Sequence, residues 1–358
     1  MENKNQYIAI MAGGVGSRFW PASRESLPKQ FLDILGVGKS LIQLTYDRAL
    51  QLVPKENILI ATNKRYKELV NEHLPDISDN QILLEPSRNN TAPCIAYLAL
   101  KIANQNPDST FAVWPSDHVI LKEAEFKTKM NLAFSYAEKG ESLVTLGIQP
   151  TRPDTGYGYI EVNHKDGAQA IEKVVQFKEK PDLTTAQSYL DAGNYFWNAG
   201  IFIWSVKAVT AAFQNNAPSI LEVLGEDVSK YNTTEEQEYI DRVYPNTEKI
   251  SVDYALLERS NNVYTIPADI GWSDLGTWNS LHAYLEKDKK DNVMQGIILS
   301  AEDCEDNFVR LPRTKKAVIK GLKNMIVIDE GDVLLIYPKD QEQEIKSVRN
   351  DLNDDSVL

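Results

Sequence analysis

The sequence predicts an α/β protein: a Rossmann-like, mixed but mostly parallel sheet with helices on both faces, followed by a small all-β C-terminal domain. Three observations carry this. Short β-branched runs alternate with longer amphipathic segments through the first half, the pattern of strand–helix–strand units. A loop rich in glycine and cations follows the first of those runs, and ligands of such folds bind beyond the carboxyl ends of strands. From about residue 290 short strands succeed one another with turn residues between them and no long helix.

Taken in order, YIAIM (7–11), NILIAT (57–62) and TFAVWP (110–115) read as buried strands, while SLIQLTYDRALQLV (40–53) and APCIAYLALKIANQN (92–106) have helical spacing and length. Residues 143–210 turn strand-rich, with LVTLGI, GYIEV, KVVQFKEKP and FWNAGIFIWS, and read as the second half of the sheet with an inserted substrate-binding portion. Helix returns over 207–286, including SVDYALLERS. Beyond it, GIILS, AVIKGL, MIVID and DVLLIYP are strands, DEGD (329–332) is a tight turn, and Ile345, Val348 and Leu352 line one face of a short terminal helix. The domains are drawn at 1–287 and 288–358. No Gly/Ser-rich linker separates them, so close packing is expected.

Composition narrows the function. Thirty-eight Lys and Arg against 51 Asp and Glu leave a net charge of −13. That surface repels a polyanion, which argues against nucleic acid. Any phosphate bound here must be met by local cations or a metal. Two cysteines, Cys94 and Cys304, make neither a disulfide framework nor a zinc site, which fits a reducing compartment. The N-terminus enters YIAIMAGG without a hydrophobic stretch of signal-peptide length, and no uninterrupted apolar run approaches a membrane span, so a soluble, cytoplasmic protein without a membrane partner is expected.

The loop GGVGSRFWPASRESLPKQF (13–31) fails two familiar phosphate patterns. A dinucleotide fingerprint needs a third glycine where Phe19 stands, and GVGKS (36–40) completes a Walker loop only if Asp33 were glycine. Gly38-Lys39-Ser40 therefore reads as a turn entering a helix near Leu41. What is left is physically direct. Gly13, Gly14 and Gly16 let the backbone turn and offer N–H groups to phosphate oxygens. Arg18 can grip a phosphate with two parallel hydrogen bonds, and Lys29, its approach fixed by Pro28, adds a point charge. With Arg24 on the same segment, a site outweighs a glycine turn with scattered cations.

That stretch resembles the nucleotide-sugar pyrophosphorylases, and within them the branch that joins guanosine nucleotides to mannose 1-phosphate. Its pattern G-G-x-G-x-R-x-W-P-x-S-R-x-x-x-P-K-Q-F is matched here, and further segments match in the same order along the chain. The resemblance implies a nucleotidyltransferase domain and a C-terminal region forming part of a left-handed β-helix. It implies transfer of GMP from GTP to mannose 1-phosphate with release of pyrophosphate, and Mg²⁺ as cofactor. Another sugar 1-phosphate or nucleotide, or a non-catalytic nucleotide-sugar sensor, is the competing reading. No Ser/His/Asp or Cys/His set is present in the sequence, and a phosphate monoester needs no general base.

Residue by residue, the resemblance gives Arg18 and Lys29 to catalysis. It gives the glycines, Glu85, Asn89, Thr91 and Ser116 to the nucleotide. Glu85 can accept from the N1 and N2 hydrogens of guanine, whereas Asn89, Asn90 and Thr91 before an apolar run also have the character of helix caps. Asp117 follows a strand and pairs with Asp274 of GWSDLGTW as metal ligands, with His118 not required. Gly158, Glu179, Lys180 and Asn198 go to the sugar phosphate, and Asp253 either joins them or caps a helix. Some relatives continue into a cupin-like isomerase domain, which a chain stopping at Leu358 is expected to lack. The small β domain offers strand edges that a second copy, in a homodimer, would cover.

Overall fold

In the computed structural model, which describes residues 5–164 and 169–352, the apolar runs of the first half become β1 (Gln6–Ala12), β2 (Ile58–Asn63), β3 (Ile82–Glu85) and β4 (Thr110–Pro115). All four run parallel, with Ile8 of β1 opposite Ile58 on one side and Ala112 on the other. Burial on both faces explains why they read as unbroken apolar runs rather than alternating ones. After the two-residue strand β5 (Val119–Ile120) come β6 (Leu143–Ile148), β7 (Tyr159–Val162), β8 (Glu172–Lys178), β9 (Tyr195–Ser205) and β10 (Val263–Pro267).

The large sheet has the order β3-β2-β1-β4-β9-β6-β10-β8-β7. Strands β9 and β8 oppose their neighbours and the others share one direction, so the sheet is mixed and mostly parallel. Because β7 also pairs with β9, the strands from β9 to β7 close on themselves. Strand patterning does not foretell that closure, which depends on pairing between distant segments. Two expected helices come out differently. The first runs only over Leu41–Ala49, and SVDYALLERS yields a π-helical turn, Asp253–Leu257, in place of an α-helix.

The chain divides into two compact units. The first comprises Met1–Gly13, Thr45–Ser116 and Ile120–Trp272 and holds the large sheet. Its core packs Ile95, Leu98 and Ile102 of the helix Thr91–Gln105 with Phe111, Trp204 and Phe213. The second comprises Gly14–Leu44, Asp117–Val119 and Ser273–Leu358. It thus groups the glycine loop with the C-terminal strands, where the sequence patterning draws one boundary after residue 287.

In the C-terminal part, after β11 (Trp272–Ser273), follow β12 (Val293–Gln295), β13 (Ile297–Glu302), β14 (Phe308–Arg310), β15 (Lys316–Lys320), β16 (Met325–Asp329) and β17 (Leu334–Pro338). Alternate strands feed two ladders: β12, β14 and β16 pair in parallel with β17 antiparallel at the edge, while β13 pairs in parallel with β15. The core of this unit joins Phe19 and Trp20 of the glycine loop to Trp278, Phe308, Ile326 and Ile345. The Trp278 indole donates to the Trp20 carbonyl at 3.2 Å, and its ring lies 4.7 Å from that of Phe19. The aromatic pair of the loop is therefore an anchor. Among the described residues, no helix is long and apolar enough to cross a membrane, and both cysteines are buried and free.

Candidate active site

Five expected site residues, Gly16, Arg18, Lys29, Asp117 and Asp274, line one cavity of about 330 Å³ in the second unit. Ser17, Phe19, His118, Gly276 and Lys346 complete its wall. The loop reaches this arrangement through Gly16. Its φ of +73° suits glycine, and a Cβ there would stand 2.5 Å from the Cβ of Lys29. Gly14 meets no such limit, since a Cβ there would face open space. The Lys29 amide donates to the Val15 carbonyl at 3.2 Å and the Gln30 side chain to the Gly14 carbonyl at 3.0 Å, which folds the P-K-Q segment back on the glycine turn.

Lys29 is only 4% exposed. Its ammonium donates to the carbonyls of Asp274 and Leu275, each at 2.9 Å, and pairs with Asp117 Oδ2 at 2.8 Å. Three acceptors for three N–H bonds leave it no spare donor. The expectation of a cation free to meet departing phosphates is corrected accordingly: here Lys29 holds the Asp117 and Asp274 loops together. Burial alone would push the Asp117 carboxyl up, yet Lys29 and then His118 outweigh it and hold it below the ordinary aspartate range. Arg24 leaves the cluster altogether, gripping Asp332 with two nitrogens at 2.5 and 2.6 Å.

A larger cavity, about 890 Å³, borders the GVGKS turn in the same unit, with Arg310, Lys315 and Asp329 in its wall. Asp33 explains why that turn is no phosphate loop. Its carboxylate accepts from the Val37 and Gly38 amides at 2.9 and 2.8 Å, taking donors a phosphate would need. The helix then starts at Leu41.

In the first unit, Glu85 ends β3 with 9% exposure. The Tyr244 hydroxyl donates to its Oε1, and the Cys94 thiol donates to the same carboxylate. No cation is among these partners, and burial, only partly offset by the two donors, pushes the Glu85 carboxyl up to about 7. Its Oε2 lies 3.7 Å from where a Gly13 Cβ would be. Asn89 does not reach outward as expected. It is fully buried, and its amide donates to the carbonyls of Tyr244 and Thr247 at 3.0 and 3.2 Å and to the Thr247 hydroxyl at 2.8 Å. Asn89 thus fixes the turn that carries Tyr244. Asn90 is the N-cap of the helix Thr91–Gln105, accepting from the Thr91 amide. The Thr91 hydroxyl accepts from the Val252 amide at 2.8 Å. Ser116 is buried, its amide on the Met11 carbonyl and its carbonyl on the Thr45 hydroxyl.

The expected sugar-phosphate residues also converge within the first unit. Gly158 leaves room for a carboxylate, since a Cβ would stand 2.5 Å from Glu179 Oε2. Glu179 pairs with Lys180, whose φ is +46°. Asn198 takes its amide proton to the Gly158 carbonyl at 2.8 Å, and its side chain donates to Asp253 at 3.0 Å. Burial first, then the neighbouring Glu179, push the Asp253 carboxyl up to about 6. Asp253 therefore belongs to this cluster, a placement sequence reasoning leaves open because an Asp at a helix start has two readings. Tyr244 and Cys94 it misses, and Lys346 it does not assign to the site. Nothing marks the first two in the sequence as partners of a carboxylate.

Residues 8–291 match the nucleotidyl transferase family, and the chain belongs to that family. It is a nucleotidyltransferase. The mannose-1-phosphate guanylyltransferase RfbM of Salmonella typhimurium is 38% identical over 356 residues, covering 96% of this chain and 73% of that protein. The xanthan biosynthesis protein XanB of Xanthomonas campestris is 36% identical over 342 residues, covering 95% and 71%. Among solved structures, a Thermus thermophilus protein described as a mannose-1-phosphate geranyltransferase superposes with a TM-score of 0.85 at 30% identity, covering 97% of this chain and 98% of that one.

Proposed function

We propose that the protein transfers GMP from GTP to mannose 1-phosphate, forming GDP-mannose and pyrophosphate. The single observation that carries this reading is the cavity in which Arg18 and the locked Lys29 meet two carboxylates, Asp117 and Asp274. Relatives named as mannose-1-phosphate guanylyltransferases supply the substrates. The reaction joins two anions, so its barrier lies in bringing them together and in holding the charge that gathers on the transferring phosphorus and the leaving pyrophosphate. A phosphate oxygen of the sugar phosphate attacks the α-phosphorus in line, and the α–β bridging oxygen departs with pyrophosphate. Arg18 meets the phosphates by its planar fork. Lys29 keeps Asp117 ionised and aligned with the loop bearing Asp274.

The donor set fits Mg²⁺. Two carboxylates offer hard oxygens to one cavity, and Mg²⁺ is commonly held by one or two carboxylates with phosphates and waters completing its octahedron. When bound, it would neutralise phosphate charge and orient the two phosphates. Glu85 accepts from N1–H and N2–H of guanine, and Glu179, Lys180, Asn198 and Asp253 receive the sugar phosphate. The C-terminal strands, in this reading, form part of a left-handed β-helix.

The test is pyrophosphate release by the purified protein with Mg²⁺, crossing GTP, ATP, UTP and dTTP with mannose 1-phosphate and glucose 1-phosphate. Release confined to GTP with mannose 1-phosphate is expected. Activity with another pair would overturn the substrate, and no release from folded, nucleotide-binding protein would favour a sensor.

A further inference from the structure

We infer that Lys346, on the last helix of the described residues, is a phosphate-binding cation of the candidate active site, meeting the β- and γ-phosphates of the nucleotide and the pyrophosphate they become. The inference rests on the proposed function and adds to it a residue from the terminal helix, Ile345–Asp351. Lys346 lines the same cavity as Arg18, Asp117 and Asp274. Its place there is fixed by its neighbour. Ile345 is fully buried and packs in the core with Phe19 and Trp20, the residues that flank Arg18 on its C-terminal side. Arg349, one turn on, is buried too.

Charge supply gives the reason for such a residue. The three cations that line the cavity are Arg18, Lys29 and Lys346. Lys29 has all its donors on protein acceptors. The side chains of Arg18 and Lys346 make no hydrogen bond or ion pair with other described residues. A chain of net charge −13 cannot draw a triphosphate by its overall field, so the open cations at the cavity must do it. An exposed ammonium exchanges water for phosphate oxygens at little desolvation cost, and its flexible stem lets it follow the pyrophosphate as the bond breaks.

The experiment compares Lys346→Gln and Lys346→Arg with the unmodified enzyme in both directions. In Lys346→Gln the KM for pyrophosphate in the reverse reaction and for GTP in the forward one should rise about 10- to 100-fold, the span of a lost charged hydrogen bond. The KM for mannose 1-phosphate should stay within about twofold, the melting temperature should not move, and Lys346→Arg should recover most of the loss. Unchanged KM values for pyrophosphate and GTP would overturn the inference. So would an equal rise for mannose 1-phosphate with a lowered melting temperature, which would make Lys346 a folding residue. If the unmodified protein makes no product from GTP and mannose 1-phosphate, the proposed function fails instead. Calorimetric titration with pyrophosphate alone then decides Lys346, weaker binding by the Gln variant supporting it and equal binding overturning it.

Discussion

Asp117 and Glu85 are two candidate-site carboxylates kept in opposite ways. Asp117, in the second unit, is part-exposed, has a buried ammonium at 2.8 Å and is held below the usual aspartate range. Glu85, in the first, has only a phenol and a thiol for partners and is pushed up to about 7. A carboxylate with a cation built in stays charged whatever else arrives, as suits a group that must meet a metal or a phosphate centre. A carboxylate with neutral donors is under-compensated, and gains most from a ligand that brings further N–H groups. Under the proposed function, the contrast would leave Asp117 ready for a metal before substrate binds, and Glu85 to be completed by the base it accepts from.

The largest effect expected from disturbing this contrast is at Lys29. Lys29→Ala removes the donor to the Asp274 and Leu275 carbonyls and the partner of Asp117. Turnover should fall about 10²–10³-fold, and stability by about 3 kcal/mol, near the low end for a broken buried pair because Asp117 is part-exposed. Steady-state rates and thermal melting check both. A variant with the rate loss but unchanged melting would mean that the ammonium acts on phosphates alone. Near-normal turnover would remove Lys29 from the mechanism.

How much of this was legible in the sequence follows from which links are local. The strands, the glycine loop, Arg18 and the two distant aspartates could be named because each sits in a short pattern with its own chemistry. The locking of Lys29 could not, because its acceptors include main-chain carbonyls some 245 residues away, and carbonyls carry no sequence signal. Asn89 looked like a ligand for the same reason: the turn at 244–247 that consumes its amide is invisible from residue 89. Tyr244 and Cys94 carry no motif, since any phenol or thiol is ordinary until a buried carboxylate is placed beside it. Closure of the sheet through β7 and β9 was equally unreadable, being a matter of register between strands far apart in the chain.

A middle-sized effect bears on the Glu85 side. GTP and ITP differ by the N2 amino group, so a carboxylate accepting from N1 and N2 should favour GTP at least about tenfold in kcat/KM. In Glu85→Gln that preference should shrink toward parity while the KM for mannose 1-phosphate holds. The pH dependence adds a sign. Raised from 4.5 to about 7, the carboxyl binds its proton more tightly when folded. Its contribution to stability is full below pH 4.5 and is lost as pH rises through about 7. Over the same window ionisation creates the acceptor, so the KM for GTP should fall from about pH 6 to about pH 8 as stability slips. Glu85→Gln should flatten both trends. A GTP–ITP preference that survives the substitution would move base recognition elsewhere.

The smallest effect tests whether local partnership, rather than summed charge, divides the loop's cations. Arg24 belongs to the same loop as Arg18, yet its guanidinium is committed to Asp332 near the surface, with side chains 17% and 53% exposed. Exposed pairs of this kind contribute little. Arg24→Ala should leave kcat and every KM within about twofold and the melting temperature within about 2 °C, and raised salt should narrow even that difference. If Arg24→Ala instead lowered turnover as far as Lys29→Ala, the loop's cations would act as one field. The contrast between a carboxylate locked to a cation and a carboxylate left to its neutral donors would then no longer explain how each of the two is kept.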